Sequence, residues 1–180
     1  MSNLAWETLE SGVAYTCGGF DVVNDTVRLP DGETSEFDYL SSSESVVILP
    51  FTPDGDVILI EEWRHAVGRC NRALPAGNLE PGEAPETAVH RELREETGYE
   101  TDDIDHLTTV EPANGFSDAV FHYYVAKNCE ATASQDLDEN ESIEVGKASF
   151  SSLLDDLEAG DLRDGRSAYG IAHYALFEQK

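Results

Sequence analysis

The segment from residue 77 to residue 99, GNLEPGEAPETAVHRELREETGY, restricts the fold more than any other part of the sequence. Proline at the first turn and glycine at the end predict a loop followed by a helix over Pro85–Thr97. An α-helix advances about 100° per residue, so Glu92, Glu95 and Glu96 fall within an arc of about 100°. An apolar stripe lies beside that arc. We therefore expect a helix that packs against a sheet and presents three carboxylates to a cleft.

Three neighbouring carboxylates have two explanations. The chain contains 37 acidic and 11 basic residues, with a formal net charge of -26, so the cluster alone is most simply a solvated acidic surface. The alternative is a metal site, because close like charges raise one another's pKa values and a divalent cation removes that repulsion. Mg²⁺ prefers oxygen ligands and commonly bridges carboxylates to substrate phosphates. The residues around the cluster decide between these explanations.

The spacing of the whole segment resembles the Nudix box, the sequence pattern of the Nudix hydrolase family. The matching positions are Gly77, Glu83, Arg91-Glu92-Leu93, Glu95-Glu96 and Gly98. Tyr99 departs from the pattern, since an aliphatic residue is more usual there. So many fixed offsets favour the metal site over the acidic surface. The resemblance implies a Nudix fold and hydrolysis of a nucleoside diphosphate linked to another group.

The resemblance also implies a role for each matching residue, with Mg²⁺ or Mn²⁺ as the cofactor. The implied metal ligands are Glu92, Glu96, Glu95 and the Ala76 carbonyl. The residues implied to hold the motif in shape are Gly77, Glu83, Arg91 and Gly98. Divalent ions would offset the charge of the substrate, polarise its P–O bonds and lower the pKa of an attacking water.

Two stretches outside the box resemble the ADP-ribose pyrophosphatase branch of the family. EEWRHAVGRCNRALPAGNLEPGE, residues 61–83, places Arg64 where an arginine contacts the substrate diphosphate. EPANGFSDAVFHYYVAKN, residues 111–128, contains GFSD, which implies that Phe116 and Asp118 border the substrate pocket. The alternatives are a surface arginine paired with an acid, and a turn before an apolar strand.

A third stretch, DLDENESIEV at residues 136–145, resembles the mobile loop of the same branch. Glu139 stands at the position of the catalytic base and Glu141 at that of a further metal ligand. A base on a loop that closes over substrate fits general-base activation of water. The choice between the two glutamates stays open. The catalytic set implied by the resemblance is Glu139, Glu95, Glu92 and Glu96.

The reaction implied by this branch is cleavage of ADP-ribose to AMP and ribose 5-phosphate. Ala73, Asn114 and Ala119 depart from the branch, which usually has a glutamate, a proline and an acid at these positions. The same chemistry on another nucleotide sugar, such as a GDP-sugar, is therefore an alternative. A second alternative is a non-catalytic domain that senses a nucleotide, and a purely structural acidic protein is a third.

The hydrophobic pattern predicts an α/β (α+β) fold in which a mixed β-sheet is sandwiched between helices. TPDG predicts a hairpin turn between the two strongest strands. The expected strands are Val13–Thr16, Phe20–Leu29, Ser35–Tyr39, Ser45–Phe51, Val57–Trp63, Arg72–Leu74, His106–Glu111, Val120–Ala126 and Ser142–Val145. The expected helices are Pro85–Thr97, Ser149–Leu157 and Ser167–Phe177.

Residues 1–43 are expected to form an N-terminal β extension, and residues 44–180 the hydrolase domain. The resemblance implies a homodimer in which the N-terminal strands help to build the partner's pocket. Aromatic side chains of this region either stack on adenine or belong to the core. They are Trp6, Tyr15, Phe20 and Phe37.

The charge and hydropathy of the chain limit its partners. A chain this negative repels nucleic acid and anionic membrane surfaces. No stretch approaches the roughly 20 apolar residues that span a bilayer, and the start lacks the pattern of a signal peptide. We therefore expect a cytoplasmic enzyme with a small-molecule substrate. Because acids are dispersed along the chain and lysine is scarce, we also predict a salt-loving host.

Overall fold

A computed structural model describes residues 4–139 and 141–179. These residues form two compact units. The first unit comprises the described residues up to Glu44 together with Val110–Val120. The second comprises Ser45–Thr109 and the described residues from Phe121 onwards.

The first unit is built on a three-stranded antiparallel sheet, in agreement with the expected β-strands. Strand β1 (Glu7–Thr16) pairs with β2 (Asp21–Arg28), and β2 pairs with β3 (Thr34–Ser41). Val23 and Val27 of β2 are buried, whereas β1 is exposed along its whole length. Among the described residues of this sheet, the buried apolar side chains therefore belong to the central strand.

The second unit combines strands and helices. Its described strands are β4 (Ser45–Pro50), β5 (Asp56–Arg64), β6 (Arg69–Ala73), β7 (Ala76–Asn78), β8 (Tyr99–Glu100), β9 (Asp103–Val110), β10 (Phe121–Lys127), β11 (Glu130–Ala131) and β12 (Ile143–Ser149). Its described helices are α1 (Pro85–Thr97), α2 (Phe150–Ala159), α3 (Gly165–Phe177) and a 3₁₀ turn over His65–Val67. The predicted mixed α+β composition is confirmed.

The sheets of the second unit place β4 at the centre of the core. A four-stranded sheet has the order β7-β4-β10-β9, in which β4 runs parallel to β10 and antiparallel to β7. All six residues of β4 are buried, as expected for a strand that is covered on both faces. Helices α1 and α3 both contact β4. Ala88, Val89 and Leu93 of α1 are fully buried in the same apolar cluster as Val46 and Ile48.

The predicted hairpin between β4 and β5 is wrong beyond its turn. Gly55 donates its N–H to the Thr52 carbonyl at 2.9 Å, and Phe51 bridges Val57, so TPDG does form a tight turn. Beyond that bridge, β4 joins the four-stranded sheet, whereas β5 lies between β12 and β6 in a separate antiparallel sheet. The residues of the turn determine only where the chain reverses direction. The strands that pair with β4 and β5 are determined by the burial of each strand in its own sheet.

The ends of α1 follow the sequence signals closely. Pro85 occupies the first turn, and Gly98 adopts the left-handed conformation with φ of 74° and donates its N–H to the Arg94 carbonyl. Helix α3 begins with a side-chain cap, because Asp164 accepts a hydrogen bond from the Ser167 N–H. No helix in the described part of the chain is long and apolar enough to cross a membrane.

Candidate functional site

A cavity of about 530 Å³ in the second unit collects most of the residues that the sequence singles out. Its lining comes from the segment between β7 and α1, from one face of α1, from the end of β5, from the loop before β12 and from the start of α3. Seven carboxylates and three guanidinium groups line it. These residues are Arg64, Glu80, Arg91, Glu92, Glu95, Glu96, Asp136, Asp138, Glu141 and Arg166.

Two of the carboxylates are buried at the foot of this cavity. Glu92 is 9% exposed and Glu96 is 4% exposed, although both are charged residues on an amphipathic helix. The Ala76 N–H donates to Oε2 of Glu96 at 2.9 Å, which fixes this carboxylate against strand β7. Isolated carboxylates are rarely buried without a partner because desolvation penalises the charged form. Their burial therefore indicates a site rather than a solvated acidic surface.

Arg91 connects the loop before α1 to the carboxylates on the helix. Its Nε and Nη2 atoms donate to the two carboxylate oxygens of Glu83 at 3.0 and 2.8 Å, a bidentate pair. Its Nη1 atom donates to Glu92 at 2.7 Å and to Glu95 at 3.2 Å. Nη2 also donates to the Asn78 carbonyl at 2.9 Å. The Arg91 guanidinium thus connects the loop between β7 and α1 to the glutamates on the acidic face of α1.

Two glycines of the motif lie where a larger residue does not fit. A Cβ atom at Gly77 would stand 2.0 Å from the carboxyl carbon of Glu92. A Cβ atom at Gly98 would stand 2.5 Å from the Ala133 carbonyl oxygen, and its positive φ independently favours glycine. Gly77 thus leaves the space that the Glu92 carboxylate occupies, and Gly98 lets the acidic loop approach the end of α1.

Burial and mutual repulsion dominate the electrostatics of the site. Burial raises the pKa of Glu96 to about 8, and the charges of Glu92, Glu141 and Glu62 add to the rise against the opposing Ala76 hydrogen bond. Burial also raises the pKa of Glu92, although Arg91 opposes it. The hydrogen bonds from Arg91 lower the pKa of Glu83. Arg91 therefore favours the ionised form of Glu83, whereas burial disfavours the ionised forms of Glu92 and Glu96.

The donor set fits a hard divalent cation. Among the described residues, no three carboxylate, imidazole or thiol groups already enclose a space for a metal ion, and Arg91 forms ion pairs with Glu92 and Glu95. The same residues have the carboxylate oxygens that Mg²⁺ and Mn²⁺ prefer. Burial, together with the neighbouring carboxylates, raises the pKa of Glu96. A bound cation would relieve this repulsion, as the sequence predicts.

The structure places Arg64, at the end of β5, in the lining of this cavity. Nη2 of Arg64 forms an ion pair with Oε2 of Glu62 at 2.6 Å. Glu62 lies two residues earlier on the same strand, so both side chains project to the same side. The pairing leaves part of the guanidinium for a ligand, as its side chain is 35% exposed.

The acidic loop before β12 brings one of its two candidate glutamates into the cavity. Glu141 lines the cavity and accepts a hydrogen bond from the Asp138 N–H at 3.1 Å. Glu139 lies in an exposed turn, outside the described lining. The loop is attached to α1, since Gln135 donates to the Glu96 carbonyl at 2.7 Å. The catalytic and metal-binding roles of both glutamates stay predictions.

The two residues expected from GFSD belong to the first unit. Asp118 accepts hydrogen bonds from the Ser41 hydroxyl at 2.6 Å and the Ser42 N–H at 3.0 Å. Phe116 is 59% exposed. Both line a second cavity, of about 470 Å³, together with Trp6 and other side chains of this unit. Their role in substrate binding stays a prediction.

The aromatic residues of the first unit divide into two groups. Trp6 and Phe37 make an edge-to-face contact with ring centroids 5.6 Å apart, and both line the cavity that contains Phe116. Tyr15 and Phe20 are exposed and are absent from the described lining of that cavity. The first pair therefore fits stacking on a planar ligand better than the second.

Sequence reasoning missed four charged residues that line this cavity, Glu80, Asp136, Asp138 and Arg166. It also missed Glu62, which pairs with Arg64 but does not belong to the described lining. Glu62 precedes Arg64 by two residues, so strand alternation predicts that the two share a face. Arg166 is one of only 11 basic residues in the chain, and the scarcity of basic residues was the one sequence signal that could have marked it as a ligand-binding candidate. Its place beside α1 depends on the tertiary packing of α3, which no local pattern shows.

Comparisons with known proteins agree on one family. The NUDIX domain pattern matches residues 42–166. The ADP-ribose pyrophosphatase of Bacillus subtilis (strain 168) is 30% identical over 179 residues, covering 99% of this chain and 97% of the relative. The GDP-mannose pyrophosphatase of Escherichia coli (strain K12) is 28% identical over 137 residues, covering 72% of this chain and 71% of the relative.

A solved structure has the same fold. The crystal structure of an ADP compounds hydrolase superposes with a TM-score of 0.83, covering 94% of this chain and 92% of that chain. Sequence identity between the two is 22%, so the likeness is one of backbone architecture.

Proposed function

Because this chain belongs to the Nudix family, we propose that it is a metal-dependent pyrophosphohydrolase that cleaves ADP-ribose to AMP and ribose 5-phosphate. The observation that carries the proposal is the buried pair Glu92 and Glu96, which faces a cavity large enough for a diphosphate. The Bacillus subtilis relative, whose similarity extends over nearly the whole chain, supports the substrate.

The proposed metal site is built from the acidic face of α1 and the loops that meet it. Nudix hydrolases generally use divalent metal ions, and Mg²⁺ or Mn²⁺ suits these oxygen donors. The proposed ligands are Glu92, Glu96, Glu95, Glu141 and the Ala76 carbonyl. A bound ion would supply charge neutralisation at the diphosphate and a water of lowered pKa. Arg91 keeps two of these carboxylates oriented towards the cavity through its hydrogen bonds.

The proposed general base is Glu139, with Glu141 as a metal ligand. The position of Glu141 in the cavity lining supports this division, because a ligand needs to stand beside the other carboxylates. Glu139 is exposed and would reach the attacking water when the loop closes over substrate. Glu139→Gln is expected to lower kcat with little change in metal affinity, whereas Glu141→Gln is expected to weaken metal binding. Equal and slight losses in both variants would refute both roles.

Arg64 is proposed to hold the diphosphate. It is partly exposed in the cavity and carries a planar guanidinium that can donate two parallel hydrogen bonds to phosphate oxygens. Its pairing with Glu62 fixes the side chain before substrate arrives, which reduces the entropy lost on binding.

A GDP-sugar is the second candidate substrate. The Escherichia coli GDP-mannose pyrophosphatase is similar to this chain over 72% of its length, and its printed name specifies another nucleotide sugar. Ala73 and Asn114 depart from the usual residues of the ADP-ribose branch. The carboxylate cavity suits either substrate, because both share the diphosphate.

We also propose that two copies associate through the first unit. Strand β1 is exposed along its whole length and carries the exposed apolar side chains of Leu9, Val13 and Tyr15, and Trp6 is exposed just before the strand begins. Exposed apolar patches of this kind mark interaction surfaces. Light scattering coupled to size exclusion should give twice the mass of the chain, and a stable monomer would contradict the homodimer.

The proposed activity is tested with a panel of nucleotide sugars at high salt, in Mg²⁺ or in Mn²⁺. ADP-ribose should give AMP and ribose 5-phosphate with a kcat/KM at least about tenfold above that of GDP-mannose. Preference for GDP-mannose would support the second candidate. Tight binding of ADP-ribose without release of products would instead indicate a sensing domain.

A further inference from the structure

Besides Arg64 and Arg91, the cavity lined by the carboxylates of α1 contains a third arginine, Arg166. It is the second residue of α3, and its side chain is 27% exposed. It lines the cavity together with Arg64 and the carboxylates of α1. A positively charged side chain that is largely buried beside acidic residues has a fixed direction, which is what recognition of an anion requires.

The backbone that carries Arg166 is anchored to the segment before the Gly77 loop. Asp164 accepts hydrogen bonds from the N–H and the hydroxyl of Ser167 at 2.9 and 2.7 Å. The fully buried Ser167 hydroxyl accepts from the Leu74 N–H at 2.8 Å. Leu74 lies two residues before Ala76, whose N–H holds Glu96. The start of α3 and the acidic face of α1 are therefore fixed to the same short segment of backbone.

The three arginines of the cavity differ in how far they are already engaged. Arg91 donates to three glutamates and one backbone carbonyl. Arg64 forms a short ion pair of 2.6 Å with Glu62. Among the described residues, the ion pair of Arg166 is with Asp164, at 3.4 Å, a long distance for a charged hydrogen bond. Most of the N–H donors of Arg166 thus remain available to a ligand.

The charges of Arg64 and Arg166 act on the same part of the cavity. Burial raises the pKa of Glu62, and Arg64 and Arg166 both oppose that rise. Both guanidinium groups therefore lie within electrostatic reach of one carboxylate. Seven carboxylates outnumber three arginines in the lining, so the cavity would repel an anionic ligand. Each guanidinium group with available N–H donors therefore increases the affinity for such a ligand.

We propose that Arg166 is a substrate-binding residue that donates hydrogen bonds to a non-bridging oxygen of the diphosphate, beside Arg64. This inference rests on the proposed function for the identity of the substrate, but its recognition chemistry requires only a diphosphate. Arg64 on β5 and Arg166 on α3 would both donate hydrogen bonds to the anion. They would supply the positive charge that the carboxylates of the cavity lack. Arg166 then contributes to substrate affinity rather than to the chemical step.

A purely structural role for Arg166 makes a different prediction. In that case Arg166 neutralises Asp164 and Glu62, and its loss lowers the melting temperature without changing substrate affinity. A binding role changes KM and leaves kcat close to that of the unmodified protein. The two roles are therefore separable by measuring KM, kcat and thermal stability on the same variants.

The test compares Arg166→Gln with Arg163→Gln, a control that removes the same charge three residues away. Arg163 is exposed and does not belong to the described lining of the cavity. Arg166→Gln should raise KM for ADP-ribose roughly ten- to hundredfold, the range expected for a lost hydrogen bond to a charged group. Arg163→Gln should change KM by less than about twofold, because surface charges away from the site have small effects.

Titration calorimetry with inorganic pyrophosphate and Mg²⁺ provides a readout that does not require turnover. Arg166→Gln should weaken pyrophosphate binding by the same factor, roughly ten- to hundredfold. Arg166→Lys keeps the charge but loses the planar guanidinium, so its pyrophosphate affinity should lie between those of Arg166→Gln and the unmodified protein. Equal pyrophosphate affinity in Arg166→Gln and the control would overturn the inference, as would absence of pyrophosphate binding to the unmodified protein. Pyrophosphate binding that depends on Arg166, without turnover of any nucleotide sugar, would overturn the proposed function alone.

Discussion

At the scale of single residues, the position of the Glu92 carboxylate requires a glycine at residue 77. A methyl group at 77 would stand 2.0 Å from the Glu92 carboxyl carbon, so Gly77→Ala has to displace that carboxylate. We expect the affinity for Mn²⁺ to fall by at least about tenfold, with a loss of roughly 1–3 kcal/mol in stability from overpacking. Calorimetric Mn²⁺ titration measures the first effect. Gly146→Ala is the control, because a Cβ there has no neighbour within 4 Å; similar Mn²⁺ affinity in both variants would contradict the prediction.

The titration of Glu96 gives a second prediction at this scale. Burial raises the pKa of Glu96 to about 8 from its ordinary value of 4.5, so the carboxyl group of the folded, metal-free protein is mostly protonated below pH 8. A carboxyl group whose pKa is raised on folding contributes its full stabilisation below pH 4.5. This contribution to the free energy of unfolding disappears as the pH rises towards 8. The melting temperature of metal-free protein should therefore fall between pH 5.5 and 8.

Glu96→Gln isolates this effect because glutamine does not ionise. The variant should lose less stability than the unmodified protein over the same pH interval, since the other acids titrate in both. Melting temperatures of the two proteins, both treated with a chelator, provide the measurement. Parallel pH profiles would show that Glu96 ionises in the folded state as easily as in the unfolded chain.

At the scale of elements, α1 and the acidic loop before β12 are joined by hydrogen bonds. The Asp136 N–H donates to the Glu95 carbonyl at 2.9 Å, and the Gln135 side chain donates to the Glu96 carbonyl at 2.7 Å. These bonds satisfy carbonyls at the end of α1 that lack helical partners. The loop that carries Glu141 is thus positioned from the same helix that carries the buried carboxylates.

Gln135→Ala should loosen this loop without unfolding the protein. The loss of one hydrogen bond to a helix end is expected to lower stability by about 1 kcal/mol and to raise amide exchange in residues 134–139. Hydrogen–deuterium exchange followed by mass spectrometry measures the change, and kcat should fall with it. Ser134→Ala, at an exposed neighbouring position, serves as the control. Unchanged exchange in Gln135→Ala would mean that backbone contacts alone hold the loop.

The elements also show which parts of the molecule were predictable. The predicted Nudix fold is confirmed, and α1 has the predicted bounds because proline, glycine and the apolar stripe all act within one helix. The partners of β4 and β5 were wrong, since the TPDG turn does not encode which sheet each strand enters. Arg166 was missed for a related reason: its place in the cavity follows from Ser167 bonding to Leu74, a contact over 93 residues.

At the scale of the whole molecule, a net charge of -26 has to be reconciled with an anionic ligand. The proposed solution is local: divalent ions at α1 and the guanidinium groups of Arg64 and Arg166 offset the field inside the cavity. Elsewhere, Asp and Glu far outnumber Lys and Arg, and only mobile ions can screen their repulsion. On this proposal, ligand binding depends on divalent ions at one site, whereas the stability of the fold depends on screening by salt.

Screening by salt should be visible as stability. The Debye length falls from about 10 Å at 0.1 M to about 3 Å at 1 M, so most repulsion between surface carboxylates is removed over this range. We expect the melting temperature to rise by about 5 °C or more from 0.1 M to 1 M KCl, which corresponds to roughly 2 kcal/mol for a chain of this size. NaCl should give the same rise at equal ionic strength, because screening depends on charge rather than on the identity of the ion. Arg64→Gln and Arg163→Gln should each steepen the dependence slightly, since both make the chain more negative. A melting temperature already at its maximum in 0.1 M salt would show that the acidic surface does not limit the stability of this fold.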